Sequence, residues 1–201
     1  LHTQLSSGIA GYYSSDDQYL SSIVPHSNEG TVLYINLESA RVGTSRYLTT
    51  LTHELQHASH WVADPDEDTW VNEGLADLAA RRAGFLARNV TPFLMQPNTQ
   101  LNAWASDYKD TAAHYGAASL FIEFLADHYG GDEFVKTLIK RPENGIDGIE
   151  AALDELGYGV SGLDAYQDWV IANYLDADFG RYAYPNRSLR AGVSVLKELV
   201  V

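Results

Sequence analysis

The 201-residue chain predicts an α+β fold, because its strand signals are confined to the first forty residues while the remainder carries helical periodicity. At 45% hydrophobic it can bury a sizeable core, and the simplest organisation is a single unit of two lobes. The expected divisions are a lobe at 1–62 with a small mixed sheet beside one long helix, a mainly helical lobe at 63–180, and a C-terminal extension at 181–201.

Each element follows from local chemistry. Thr31-Val32-Leu33-Tyr34-Ile35-Asn36-Leu37 is β-branched and aromatic, bounded by Gly30 and Glu38-Ser39, and reads as a strand. From Thr44 or Ser45, either a natural N-cap, apolar residues at Leu48, Leu51, Leu55, Ala58 and Val62 keep a helical period through Trp61. Asp66 or Asp68 then offers an N-cap to a second helix, with apolar positions at Val71, Leu75, Leu78, Ala79 and Ala83. Helices are predicted near 69–87, 111–129, 132–140, 146–156 and 162–176, with Gly130-Gly131 and Gly157 as stops. Leu196 to Val201 reads as strand-like and ends apolar, as if a further domain followed.

The charge and residue usage exclude several roles. A formal net charge of −14 would repel nucleic acid and anionic membranes. There is no cysteine, so disulfides contribute nothing. No run of eighteen apolar residues exists, so membrane insertion is not expected and the chain reads as soluble. It opens on Leu1, without a signal-like segment, as a mature or excised domain would.

The most informative segment is His53-Glu54-Leu55-Gln56-His57. On a helix, positions i and i+4 lie about 40° apart in azimuth and about 6 Å apart along the axis, so both imidazoles can reach one metal ion. Glu54 sits about 100° round from His53, where a carboxylate can take a proton from water at the metal's open position. A pattern this short recurs by chance, so a third ligand has to confirm it. Glu73 is that candidate, separated from His57 by fifteen residues and lying on the first turns of the next helix. Asp77, one turn later, can accept the free ring N–H of a metal-bound histidine, and Asn72 can serve the same outer layer. These residues predict one zinc ion on His53, His57 and Glu73, with Glu54 as general base.

Other polar clusters weigh less. His60 shares a face with His53 and His57 but lies about 4.5 Å further along the axis than His57, so it is assigned to a pocket wall or a cap. Asp64-Pro65-Asp66-Glu67-Asp68 concentrates four carboxylates that could hold Ca2+, yet it lacks an EF-hand's glycine and spacing and reads as a solvated, helix-capping loop. Asp176-x-Asp178 is read the same way.

His53-Glu54-x-x-His57 followed by Asn72-Glu73-Gly74-Leu75-Ala76-Asp77 resembles the gluzincin metallopeptidases, although their aminopeptidase and thermolysin branches carry a gap a few residues longer. The chain looks most like the bacterial secreted neutral metallopeptidases of the hyicolysin type, through Ser27-Asn28-Glu29, Tyr115-Gly116-Ala117-Ala118 and the run from Trp169 to Tyr174. That resemblance implies a thermolysin-like catalytic fold, a secreted or cell-surface setting, and a peptide or protein substrate. It also implies an oxyanion-stabilising side chain on the 111–129 helix. Tyr115 is the first choice and His114 the alternative, while the aminopeptidase register would fall on Ala113. The resemblance also implies that the 31–37 strand is an edge strand along the substrate cleft, and Asn28 and Glu29, just before it, are the candidates for holding a substrate by strand addition. Endopeptidase is the favoured activity; the alternatives are an aminopeptidase and a non-catalytic zinc-bearing recognition domain.

Overall fold

The computed structural model describes residues 1–3, 5, 8–104 and 111–189. Among them are three strands, β1 His2–Thr3, β2 Gly11–Tyr13 and β3 Leu33–Asn36, and a 3-10 turn at Ser15–Gln18. Seven helices follow: α1 Ser45–Ala63, α2 Thr69–Arg82, α3 Thr91–Met95, α4 Ala112–His128, α5 Asp132–Leu138, α6 Gly145–Glu155 and α7 Gly162–Leu175. The α+β class is as the sequence predicts. No described helix is long and apolar enough to cross a membrane.

The sheet is mixed, in the order β1-β3-β2, with β1 parallel and β2 antiparallel to β3. The strand expected at an edge is therefore the central one. It holds that place because His2 and Thr3 pair with Ile35 and Asn36 on one side, while Gly11 to Tyr13 pair with Ile35 to Leu33 on the other. Tyr12 stacks on its cross-strand partner Tyr34 at 4.4 Å. Strands β1 and β2 were not foreseen, since two or three residues are too few to show a period of two.

Helix α1 begins at Thr44, whose hydroxyl accepts from the Tyr47 amide at 3.2 Å. It lies close against the sheet at Gly11, where a Cβ would stand 2.6 Å from both Thr50 Cγ2 and the Tyr34 carbonyl. Only glycine allows that approach. Helix α2 stops at Arg82, short of the predicted 87, because Gly84 turns the chain into the left-handed region at φ +83°. The short α3 was not predicted.

The main core is helical. Helix α4 is apolar on nearly every face, which suits the centre of a bundle. Trp70 stacks on Phe121 at 5.8 Å and Phe93 on Trp169 at 5.5 Å across it. Residues 182–189 belong to this core and do not trail from it: Tyr184 and Leu189 are buried. Arg187 pairs at 3.0 Å with Glu123, a buried α4 carboxylate that Arg81 also contacts. The strand-like reading of Leu196 to Val201 lies outside the described residues.

Candidate metal centre

Helices α1 and α2 pack together and bring their polar residues face to face. His53 and His57 come from α1, Glu73 and Asp77 from α2. Glu73 is held in place by its neighbour Gly74, where a Cβ would stand 2.5 Å from Ile122 Cγ1 and 2.7 Å from the Ala118 carbonyl. That contact presses α2 onto α4, so the backbone next to Glu73 is fixed from behind.

Three side-chain atoms converge. His53 Nε2 lies 3.0 Å from Glu73 Oε2 and 3.1 Å from His57 Nε2, and His57 Nε2 lies 3.6 Å from Glu73 Oε2. Ligand bonds of about 2.0–2.1 Å at tetrahedral angles require edges of about 3.3–3.4 Å. The triangle has the size a zinc ion would need. The two imidazoles are 84° apart in plane, so each can aim a nitrogen lone pair at one point from its own direction.

Behind the triangle, Asp77 fixes the tautomer of His53. Its Oδ1 lies 3.1 Å from His53 Nδ1, which donates, leaving the Nε2 lone pair for the triangle. Asp77 also accepts two bonds from Arg88, Nε at 2.7 Å and Nη2 at 2.8 Å. Asn72 does not share this layer. Its amide donates to the Glu67 carbonyl at 3.1 Å, on the side of the loop that leads into α2.

The electrostatics match the geometry. Burial acts to lower the His53 pKa, yet hydrogen bonds and charge from Asp77 and Glu73 outweigh it and raise the group to about 10. Burial acts to raise Glu73, and the two histidines outweigh it, holding the carboxyl down to about 2. The proton held so strongly by His53 answers to the same negative charge that would attract a dication. Glu54 is buried, and burial raises its pKa against the downward pull of His53 and His57; the Tyr13 backbone N–H is a further lowering partner.

Of the triangle, His53 lines a cleft of about 790 Å³. It is lined by Gly8 to Gly11, which lead into strand β2, by His53 and Glu54 on α1, and by Arg88 and Tyr115. The Tyr115 ring lies under the Arg88 guanidinium at 4.7 Å and edge-on to Trp104. No protein-family description and no curated protein matches this chain. The geometry alone carries the functional reading.

Several predicted residues fall elsewhere. His114 is buried, with Nδ1 at 3.0 Å from the Gln100 carbonyl, and does not line the cleft. Asn28 and Glu29 do not line it either. Asn28 bonds Asp17 and the Tyr34 hydroxyl at 2.7 and 2.6 Å, and Glu29 accepts from the Ser21 amide at 2.9 Å. They fold the segment before β3 back onto the 3-10 turn, because β3 is central and offers no free edge. The edge that faces the cleft belongs to the β2 side. Arg88 is the residue that the sequence reading missed; six positions beyond the end of α2, it has no spacing signal linking it to Asp77.

The acidic loop also departs from expectation. His60 is fully buried and does not line the cleft, and Asp64 and Glu67 are buried, not solvated. Asp64 ends α1 as its C-cap, while Asp68, at the N-cap of α2, accepts from Trp70 Nε1 at 3.2 Å. Asp176 caps α7 and accepts from the Leu189 amide at 3.2 Å.

Proposed function

We propose that the chain is a zinc-dependent endopeptidase with a gluzincin-type site on a thermolysin-like catalytic fold, acting on peptides or proteins in a secreted or cell-surface setting. The observation that carries this reading is the convergence of His53 Nε2, His57 Nε2 and Glu73 Oε2, with His53 and the buried Glu54 lining an open cleft. His53, His57 and Glu73 would hold the ion, and Asp77 would keep His53 in the coordinating tautomer. Zinc in a three-ligand site lowers the pKa of water and polarises a carbonyl.

The protein's own groups supply the rest. Glu54 accepts the proton of the attacking water and passes it to the leaving amine, a role favoured by its upward-shifted pKa. Tyr115 and Arg88, which line the same cleft as Glu54, donate to the carbonyl oxygen as negative charge develops there; Asp77 occupies Nε and Nη2 of Arg88, which leaves Nη1 for that task. The 8–11 backbone gives an extended peptide an edge to align against.

The same lining favours an endopeptidase over an aminopeptidase. An exopeptidase that captures a free amino terminus needs a carboxylate for it. Among the described residues of the cleft the only acids are Glu54, committed to proton transfer, and Asp77, already engaged by His53 and Arg88. Metal analysis of Glu73→Ala tests the reading: it should hold one zinc equivalent fewer than the parent, and unchanged occupancy would reject the ligand set.

A further inference from the structure

A second group of metal-binding side chains sits one turn beyond the first. His60 lies in the last turn of α1, Asp64 at its C-cap, and Glu67 in the loop that leads to α2. One ligand atom from each lies within 4.8 Å of the others. The three residues are 0%, 4% and 8% exposed.

Four of their polar atoms lack partners. Both ring nitrogens of His60, Oδ2 of Asp64 and Oε2 of Glu67 are buried without a hydrogen bond. Asn72 lies near enough to pull on His60, but neither ring nitrogen meets hydrogen-bond geometry. A buried imidazole has a donor and an acceptor to satisfy, and leaving such groups unpaired is costly. No described Arg or Lys forms an ion pair with Asp64 or Glu67.

The surroundings hold these atoms in place. Glu67 Oε1 accepts from the amides of Asp68 at 2.6 Å and Gly145 at 2.8 Å, which leaves Oε2 as the atom for the cluster. Asn144 donates to the Asp66 carbonyl at 2.8 Å, and Asn72 to that of Glu67 at 3.1 Å. Gly145, at φ +61°, brings the 144–145 backbone so close that a Cβ would stand 2.4 Å from Asp68 Oδ2. The acidic loop is thus braced from α2 and from the start of α6.

We propose that His60, Asp64 and Glu67 form a second, buried zinc site that clamps the α1–α2 loop and so fixes the distance between His57 and Glu73. Two carboxylates and a dication make a neutral set, which is what a buried cluster without a basic partner requires. The imidazole decides the class of ion: calcium and magnesium take oxygen ligands, whereas a mixed nitrogen and oxygen set suits zinc. No ligand is shared with the first centre and none lines the cleft. The site does not depend on the peptidase reading.

Zinc counting on the full chain, loaded with zinc and desalted, separates the two centres. The parent should hold two equivalents, Glu67→Gln one, Glu73→Ala one, and the double variant none. Zinc should raise the Tm of Glu73→Ala by on the order of 10 °C, as tight binding to the folded state alone predicts for a chain of this size, and millimolar calcium should not. A parent with one equivalent that Glu73→Ala abolishes and Glu67→Gln leaves intact would overturn the second site while sparing the first. One equivalent with the opposite pattern would support this site and reject the peptidase ligand set. Should Glu67→Gln fail to fold, X-ray absorption of zinc-loaded Glu73→Ala decides: one imidazole and two carboxylates are expected, and a spectrum without imidazole would overturn the proposal.

Discussion

Replacing Asp77 by Asn tests whether the α2 carboxylate is what makes His53 a ligand. Asp77 Oδ1 faces two donors, His53 Nδ1 at 3.1 Å and Arg88 Nη2 at 2.8 Å, while Oδ2 faces only Arg88 Nε at 2.7 Å. An amide can oppose its NH2 to one donor by keeping oxygen at the Oδ1 position, or to two by flipping. It will keep oxygen there, so His53 retains its tautomer on a weaker, neutral acceptor. Loss of an orienting acceptor costs about 10–100-fold in metal affinity, or about 1.4–2.7 kcal/mol. Asp77→Asn should fall near the tenfold end, and Asp77→Ala, which frees the ring to rotate and change tautomer, near the hundredfold end. Competition with a chromophoric chelator reads both, following the zinc equivalent that Glu73→Ala abolishes. If both variants match the parent within a factor of about two, the Asp77–His53 contact does not serve the metal.

Further outcomes follow from the same geometry. Tyr115→Phe should lower turnover by roughly 10²-fold with zinc content and Tm near those of the parent, whereas His114→Ala should act through stability, since His114 is buried away from the cleft; the reverse pattern in steady-state kinetics would return the role to His114. Asn28→Ala should lower stability and leave KM unchanged, because Asn28 bonds Asp17 and Tyr34; a raised KM with unchanged Tm would restore it to substrate binding. The same trio sets a pH window. Burial acts to raise Asp17, but hydrogen bonds from Tyr34 and Asn28 outweigh it and lower the group, so its contribution is present above its unfolded value and lost as pH falls through the folded one. Tyr34 is raised to about 12, first by its bond to Asp17 and then by burial, so its contribution is intact below about 10 and fades between there and about 12. Denaturation of Tyr34→Phe across pH should lack that alkaline loss; a curve parallel to the parent's would contradict the assignment.

How much of this was legible in sequence depended on whether the signal was local. The i, i+4 histidines, Glu54 and the helix around Glu73 were readable because each rests on a short spacing in a strong helical period. The inward face of α1 was not. Leu55 and Val62, two of the apolar positions that mark its helical period, are exposed at 52% and 75%, while Thr50, Glu54, Ala58 and His60 are buried. The helix turns polar groups inward because two clusters of ionisable side chains occupy that face, and apolar periodicity misreads such a helix. The substrate edge was misplaced for a different reason. Strand β3 has the only strong strand composition, so it drew the edge assignment, whereas β1 and β2 are too short to announce themselves. Arg88 was invisible because its link to Asp77 is made by the turn after α2, which no period encodes. In sequence His60 reads as a pocket wall or a cap, and Asp64 and Glu67 as part of a solvated, helix-capping loop; only folding shows that they are buried together.

The most direct test of the account is cleavage of a diverse peptide library by the zinc-loaded chain and by Glu54→Gln, with zinc content measured in the same samples. The amide fills the same volume and cannot accept the proton, and a general base contributes on the order of 10²–10⁴-fold. The parent should cut at internal bonds, and Glu54→Gln should keep its zinc and fold while losing activity by that factor. A parent that binds zinc at His53, His57 and Glu73 but cleaves nothing, or a variant that retains activity within a few-fold, would contradict the assignment of this site to zinc-assisted peptide hydrolysis.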